Sequence, residues 1–314
     1  MIDRLIEKIR MTKNPSVIGL DPDLTKIPLC YRQKRHVSLK DTADVMLDFH
    51  CDIIDTVAPY VPAVKLQMAF YEAYGSYGVL AFEETVAYAK SKGLIVIEDA
   101  KRNDIGNTAR AYANGHLGKM PLLDGTPSSV FDVDFLTVTP FLGSESIRPF
   151  VETCNVFHKG IFVLVKTSNP SAGEIQDQVT AEGYTVSEML AHQLEESAKS
   201  SVGKYGYSPI GAVVGATYPK DAVKMRSVMK HCCFLVPGYG AQGGCADDVM
   251  PCFDERGLGA IVNSSRGILY THMTDDERNT ITKDEYRIRV KKQTVEMQQQ
   301  LYHALSADKK SMCY

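Results

Sequence analysis

The chain lacks most features that would commit it to a metal, a membrane or a polyanion. Its eight cysteines form no C-x-x-C pair and no regular framework. In a chain of 314 residues they read as reduced core or surface thiols, and a zinc or redox site lacks its ligand spacing. No apolar run approaches the ~18 residues of a membrane span. The opening MIDRLIEKIR spaces Ile2, Leu5, Ile6 and Ile9 helically between charges, unlike a signal peptide. A cytoplasmic location is therefore expected. Charge of one sign is missing too: 35 basic against 38 acidic side chains leave a formal net charge of −3. That balance argues against a surface built to grip nucleic acid or anionic lipid, yet allows one small anion site.

An apolar share of 44% excludes wholesale disorder. Eight short apolar or β-branched runs recur, at 16–21, 62–67, 94–100, 134–140, 160–167, 210–217, 233–239 and 259–266. Near-continuous runs of this kind suit parallel strands buried on both faces. Helical periods lie between them. Val45, Met46, Phe49, Ile53, Ile54 and Val57 form one stripe behind a capping Asp41, and Thr185/Glu188 and Thr282/Glu285 spell capping boxes.

The same alternation builds either an open doubly wound sheet or a closed (β/α)8 TIM barrel. Eight units without a composition break favour the barrel, with an N-terminal helix. Residues 1–305 are expected to form one barrel, and 306–314 a frayed tail. Segment 168–184, after the fifth strand, exceeds the ~12–15 residues of ordinary loops and reads as a lid.

Barrel active sites lie at the carboxyl ends of the strands. There this sequence places Asp21, Lys65, Gln67, Asp99, Lys101, Lys166 to Ser168, Gly238 to Gln242, Ser265 and Arg266. Lys65 and Asp99 interrupt runs that a purely structural strand would keep apolar. Asp99 and Lys101, two apart, share a strand face, while Glu98 points the other way. Asp104 follows in the turn and Thr108 lies one helical turn on. Such a cluster could be a mere ion-pair plug. Alternating Lys65, Asp99, Lys101 and Asp104 could instead hold an ammonium protonated beside a reacting carbon, where it stabilises a carbanion and then protonates it. The eight histidines fall outside these strand ends, which leaves His-based chemistry without support.

Glycine-rich LVPGYGAQGG (235–244) and NSSRG (263–267) occupy the loops after strands seven and eight, where barrels frequently bind phosphate. Backbone N–H groups, Gln242 and the Arg266 fork are suitable donors.

Taken together, GLDPD (19–23), VKLQMAFYE (64–72), DAKRNDIGNTA (99–109), VKTSNP (165–170), VPGYGAQGG (236–244) and NSSRG (263–267) resemble the longer-chain branch of the orotidine 5′-phosphate decarboxylase family. The D-x-K-x-x-D-I-x-x-T segment is the most specific piece. The resemblance implies a homodimeric barrel that needs no cofactor and no metal, and that converts orotidine 5′-phosphate to uridine 5′-phosphate and carbon dioxide in pyrimidine biosynthesis. It makes Lys101 the proton donor to C6, with Lys65, Asp99 and Asp104 completing the charge network. Asp21, Lys65 and Gln67 fall to ribose hydroxyls, Ser168 to the pyrimidine, and Gln242, Ser265 and Arg266 to the phosphate. Asp104 and Thr108 reach the neighbouring subunit's site. No fused orotate phosphoribosyltransferase is expected.

Three rivals share these features. A magnesium-dependent sugar-phosphate decarboxylase or aldolase of the same superfamily uses a D-x-K-x-x-D core, but needs a further acidic ligand where this chain has Lys65. A Schiff-base enzyme needs a neutral lysine, which flanking carboxylates oppose. An inert nucleotide-binding barrel would not need the full charged quartet.

Overall fold

The computed structural model describes residues 1–33, 37–240, 243–270 and 273–308. Eight parallel strands close into a barrel in sequence order: β1 (Ser16–Leu20), β2 (Ala63–Gln67), β3 (Ile95–Arg102), β4 (Phe135–Val138), β5 (Gly160–Lys166), β6 (Ser208–Val214), β7 (Cys232–Val236) and β8 (Ala260–Ser264), with β8 returning to β1. Each falls within or beside one of the eight apolar runs. A two-stranded antiparallel ribbon, Met120–Pro121 with Pro127–Ser128, precedes β4; no periodic pattern announces it.

Alternation divides the strand residues between two cores. Val17, Ala63, Ile95, Ile97, Phe135, Phe162, Cys233, Leu235 and Ile261 form a buried cluster inside the barrel. Helix α1 (Ile2–Thr12) adds Ile2, Leu5, Ile6 and Ile9 to that cluster and so seals its amino-terminal mouth. The intervening residues, such as Ile18, Val64, Val96 and Leu136, pack outward against the helices. On α2 (Leu39–Val57) the whole predicted stripe is buried, at roughly 1.5–3 kcal/mol per fully buried side chain. Its cap is Ser38 rather than Asp41. The Ser38 Oγ accepts the Asp41 N–H at 3.1 Å, which leaves Asp41 in the first turn, where its charge complements the helix dipole.

Both predicted capping boxes form, at Thr185 before α6 (Val186–Ala198) and at Thr282 before α8 (Lys283–Ala307). Between them in the chain lies α7 (Pro219–Val228), and α3 (Gly75–Ser91), α4 (Gly106–His116) and α5 (Ser144–Phe157) cover the earlier strands. Helix α8 runs two residues into the segment expected to fray, and 309–314 lie outside the described residues. Segment 168–184 is partly ordered into turns: Pro170–Ala172 and Gly173–Gln176 are helical, and Val179 bridges to Thr185.

Candidate active site

At the carboxyl ends of β1 to β3, four charged groups form a continuous chain. The Lys65 ammonium stands 3.4 Å from Asp21 and 3.2 Å from Asp99, and Lys101 reaches the other Asp99 oxygen at 2.7 Å. Lys65 is buried, whereas the Lys101 side chain is 46% exposed at the mouth. Strand register sets the arrangement, because Gly19 pairs with Lys65 and Gln67 with Asp99 across adjacent strands.

Burial alone would push the Asp99 carboxyl up. The Lys65 and Lys101 charges, with hydrogen bonds from Lys101 and Thr137, outweigh burial and hold it at about 2. Burial likewise disfavours the Lys65 ammonium, yet Asp21 and Asp99 raise its pKa above the ordinary lysine value. Both groups are therefore ionised across the neutral range.

The predicted alternation is present, with one change of membership. Within one chain the sequence of charges is Asp21, Lys65, Asp99, Lys101. Asp104 instead accepts the Ile105 N–H at 2.8 Å, and no ion pair joins it to either lysine among the described residues. Thr108 is exposed in the first turn of α4. Gln67 donates its amide to Asp99 at 3.0 Å while lining the cavity. Glu98 faces away, as its place in the strand requires, and pairs behind the barrel with His116 at 2.8 Å.

Two contiguous cavities share Lys65, Asp99, Pro237 and Asn263. One, of 470 Å³, adds Lys101 and Ser168 above a floor of Leu164, Val213 and Leu235, and segment 168–184 walls it with Ser171, Ala172, Ile175 and Gln176. The other, of 190 Å³, adds Asp21, Gln67, Ser265 and Arg266. Lys101 and the predicted anion residue Arg266 therefore line different cavities, which Lys65 and Asp99 join by lining both. A larger cavity of 570 Å³ opens beyond Arg266 toward Gln293 and Gln300 on α8, but holds none of the four paired charges. Gln242 lies outside the described residues.

Two glycines make this shape possible. A Cβ on Gly19 would sit 1.8 Å from the Ser265 Oγ, and one on Gly215 would sit 2.8 Å from the Ser168 Cβ. Side chains at either position would displace a cavity wall.

Lys166, a candidate from its place at a strand end, points elsewhere. The β5–β6 ladder shifts register between Leu164 and Lys166, and the bulge sends the buried Lys166 away from the cavity to Asp177 and Asp221 (3.1 Å). Three polar residues that sequence reasoning did not single out also serve the site. Tyr270 donates to the Asp21 carbonyl at 3.0 Å and accepts the Asp23 N–H at 2.8 Å, tying down the β1 loop. Asn263 lines both cavities and donates to Ser265 at 3.4 Å. Thr137 joins Asp99 to the Lys101 backbone. Inward strand positions were the available signal, but neutral polar residues do not stand out there as charges do.

A family model described as the orotidine 5′-phosphate decarboxylase / HUMPS family matches residues 17–278. An orotidine 5′-phosphate decarboxylase of Rhodopirellula baltica is 44% identical over 294 residues, covering 93% of this chain and 96% of that protein. One from Caldicellulosiruptor bescii is 40% identical over 274 residues, covering 86% and 89%. Among solved structures, a putative orotidine 5′-phosphate decarboxylase from Streptomyces avermitilis superposes with a TM-score of 0.75 at 30% identity, covering 95% of each chain. Sequence and barrel agree: the chain belongs to the orotidine 5′-phosphate decarboxylase family.

Proposed function

We propose that this chain decarboxylates orotidine 5′-phosphate to uridine 5′-phosphate without a metal or organic cofactor, and that Lys101 supplies the proton. The observation that carries this reading is the Asp21–Lys65–Asp99–Lys101 chain, which runs from the cavity that holds Arg266 into the adjoining cavity that holds Lys101 and Ser168. Phosphate bound by Arg266, Ser265 and Gln242 sets the pyrimidine toward Lys101 and Ser168, with the ribose between them near Asp21, Lys65 and Gln67.

The C6–carboxylate bond breaks and its electron pair stays on C6, in an in-plane orbital that the ring π-system cannot absorb. A fixed ammonium is the suitable stabiliser in a water-poor site. The Lys101 Nζ–H then delivers its proton to C6, and solvent reprotonates the amine. Lys101 is poised for this by Asp99, which holds its ammonium in place. Segment 168–184 already forms one wall, and its closing on phosphate binding would exclude water.

Lys65 also favours this reading over a magnesium-dependent relative. Its ammonium fills the space between Asp21 and Asp99, the two carboxylates that a divalent ion would need to share. Incubation with orotidine 5′-phosphate in excess EDTA should deplete the orotate chromophore at the undiminished rate. Loss of turnover that magnesium restores would reverse the assignment.

Asp104 and Thr108 act in the site of a second copy. Beside them Ile105 at the start of α4, Tyr112 on α4, and Phe141 and Leu142 leading into the neighbouring α5, expose apolar surface suited to such a copy. Mixing Asp104→Ala with Lys101→Ala subunits should restore turnover through one intact site per mixed dimer. Absence of restoration would mean that each barrel works alone.

A further inference from the structure

We infer that Thr137 is a positioning residue for the Lys101–Asp99 pair, its single hydroxyl fixing both the backbone that aims Lys101 and the carboxylate that Lys101 faces. The inference rests on the proposed role of Lys101 and goes beyond it to what holds that side chain in place.

Lys101 has a backbone φ of 51°, in the left-handed region that a long side chain rarely adopts. Such a conformation persists only where its surroundings over-determine it. Here the β3–β4 ladder shifts register between Glu98 and Arg102, so the Lys101 N–H turns out of the regular pairing. The Thr137 Oγ1 receives it at 2.9 Å. The same oxygen lies 3.0 Å from the Asp99 Oδ1.

The direction of these two bonds is forced by chemistry. An amide N–H can only donate, and an ionised carboxylate can only accept. The hydroxyl must therefore accept from Lys101 and spend its one proton on Asp99. That Asp99 oxygen is the one the Lys101 ammonium reaches at 2.7 Å. Backbone, carboxylate and ammonium of the pair thus close into a ring through Thr137. Thr137 is 1% exposed and lines neither cavity of the site, so it acts through its neighbours rather than on substrate.

Threonine is also the residue whose shape valine copies, which makes the hydroxyl separable from packing. Thr137→Val should lower kcat roughly tenfold to a hundredfold, the range expected when a reacting group is misplaced by about an ångström. KM and the affinity for uridine 5′-phosphate should stay at wild-type values. Thr137→Ser, which keeps the hydroxyl, should recover most of the turnover. Removing a donor to the Asp99 carboxylate should also move the acid limb of the kcat profile to higher pH in Thr137→Val. Should the valine variant fail to melt cooperatively, Thr137→Ala against Thr137→Ser carries the same comparison. Wild-type kcat in the variants lacking the hydroxyl, or a serine variant as slow as valine, overturns the inference. Wild-type turnover in Lys101→Ala sinks the donor assignment instead, so the two failures are distinct.

Discussion

On β1 to β4 and β8 the lower and upper halves of the barrel lumen, one inward position apart, differ in chemistry, whereas β5 to β7 stay apolar in both, with Leu164, Val213 and Leu235 in the upper half. Val17, Ala63, Ile97, Phe135 and Ile261 fill the lower half with buried apolar side chains. Two residues further along each strand stand Gly19, Lys65, Asp99, Thr137 and Asn263. The lower layer is a dry floor, closed beneath by α1, and it keeps water from the charges above on one side. Charges beside such a floor interact far more strongly than in water. Reactivity here is a matter of layer: the floor supplies rigidity and low polarity, and the layer above supplies the chemistry.

The largest expected effect comes from removing the outermost charge of the upper layer. Lys101→Ala should cut kcat by about a thousandfold or more, combining a lost electrostatic stabiliser with a lost proton donor. Thermal stability should barely move, because this side chain is half-exposed and its neighbour Asp99 keeps Lys65. Single-turnover kinetics beside a thermal melt separates the two readouts. A variant that unfolds instead of merely failing to turn over would assign Lys101 to the structure and erase the contrast between layers.

The converse test breaks the floor. Phe162 and Phe135 stack with ring centroids 5.0 Å apart, and both are fully buried. Phe162→Ala should cost about 3–5 kcal/mol of stability, read from urea unfolding, through lost burial and the cavity it leaves. Turnover per folded molecule should fall far less than in Lys101→Ala. Equal damage to turnover would mean that the floor takes part in catalysis.

The sequence made this layering legible where a charge interrupted an apolar run. Lys65 and Asp99 announced themselves that way, and strand alternation correctly turned Glu98 outward, to His116. Four aspects stayed hidden for identifiable reasons. Neutral Thr137 and Asn263 leave no mark against a β-branched strand, and their roles depend on the register of the neighbouring strand. Tyr270 acts on Asp21 across a separation of 249 residues, which no local pattern encodes. A bulge inverted the side of the strand that alternation gives Lys166. Ser38 and Asp41 are both good caps, and the helix took the earlier one.

Acid acts on the charged layer and leaves the apolar floor unchanged. Asp99 has its pKa held at about 2, below its ordinary value, so its contribution to stability is complete above pH ~4 and is lost as pH falls toward 2. The difference amounts to about 2 kcal/mol. Lys65 behaves oppositely: its raised pKa contributes below the ordinary lysine value and is lost only in strong alkali. Urea midpoints of the wild type should therefore drop between pH ~4 and ~2 more steeply than those of Asp99→Asn. Parallel slopes would show that the upper-layer pair is not coupled to folding.

The smallest effect concerns Lys166, which belongs to neither layer. Its buried ammonium joins Asp177, from the segment that walls the cavity, to Asp221 at the start of α7, and sits 4.9 Å from the Tyr218 ring. Burial disfavours that charge, but hydrogen bonds to both carboxylates outweigh it and raise the pKa. Asp177 and Asp221 are each about half-exposed, so water screens the pairing and limits its worth to about 1 kcal/mol. Lys166→Met keeps the length and packing of the side chain while releasing Asp177. Gln176, next in the chain, holds the Thr167 N–H at 2.9 Å and lines the cavity with Ser168. The released segment should therefore close less often over bound substrate and raise KM by about fivefold, the equivalent of that 1 kcal/mol, with kcat at saturation nearly unchanged. A fall in kcat with KM intact would instead place Lys166 with the upper layer, acting on the charges despite its bulge.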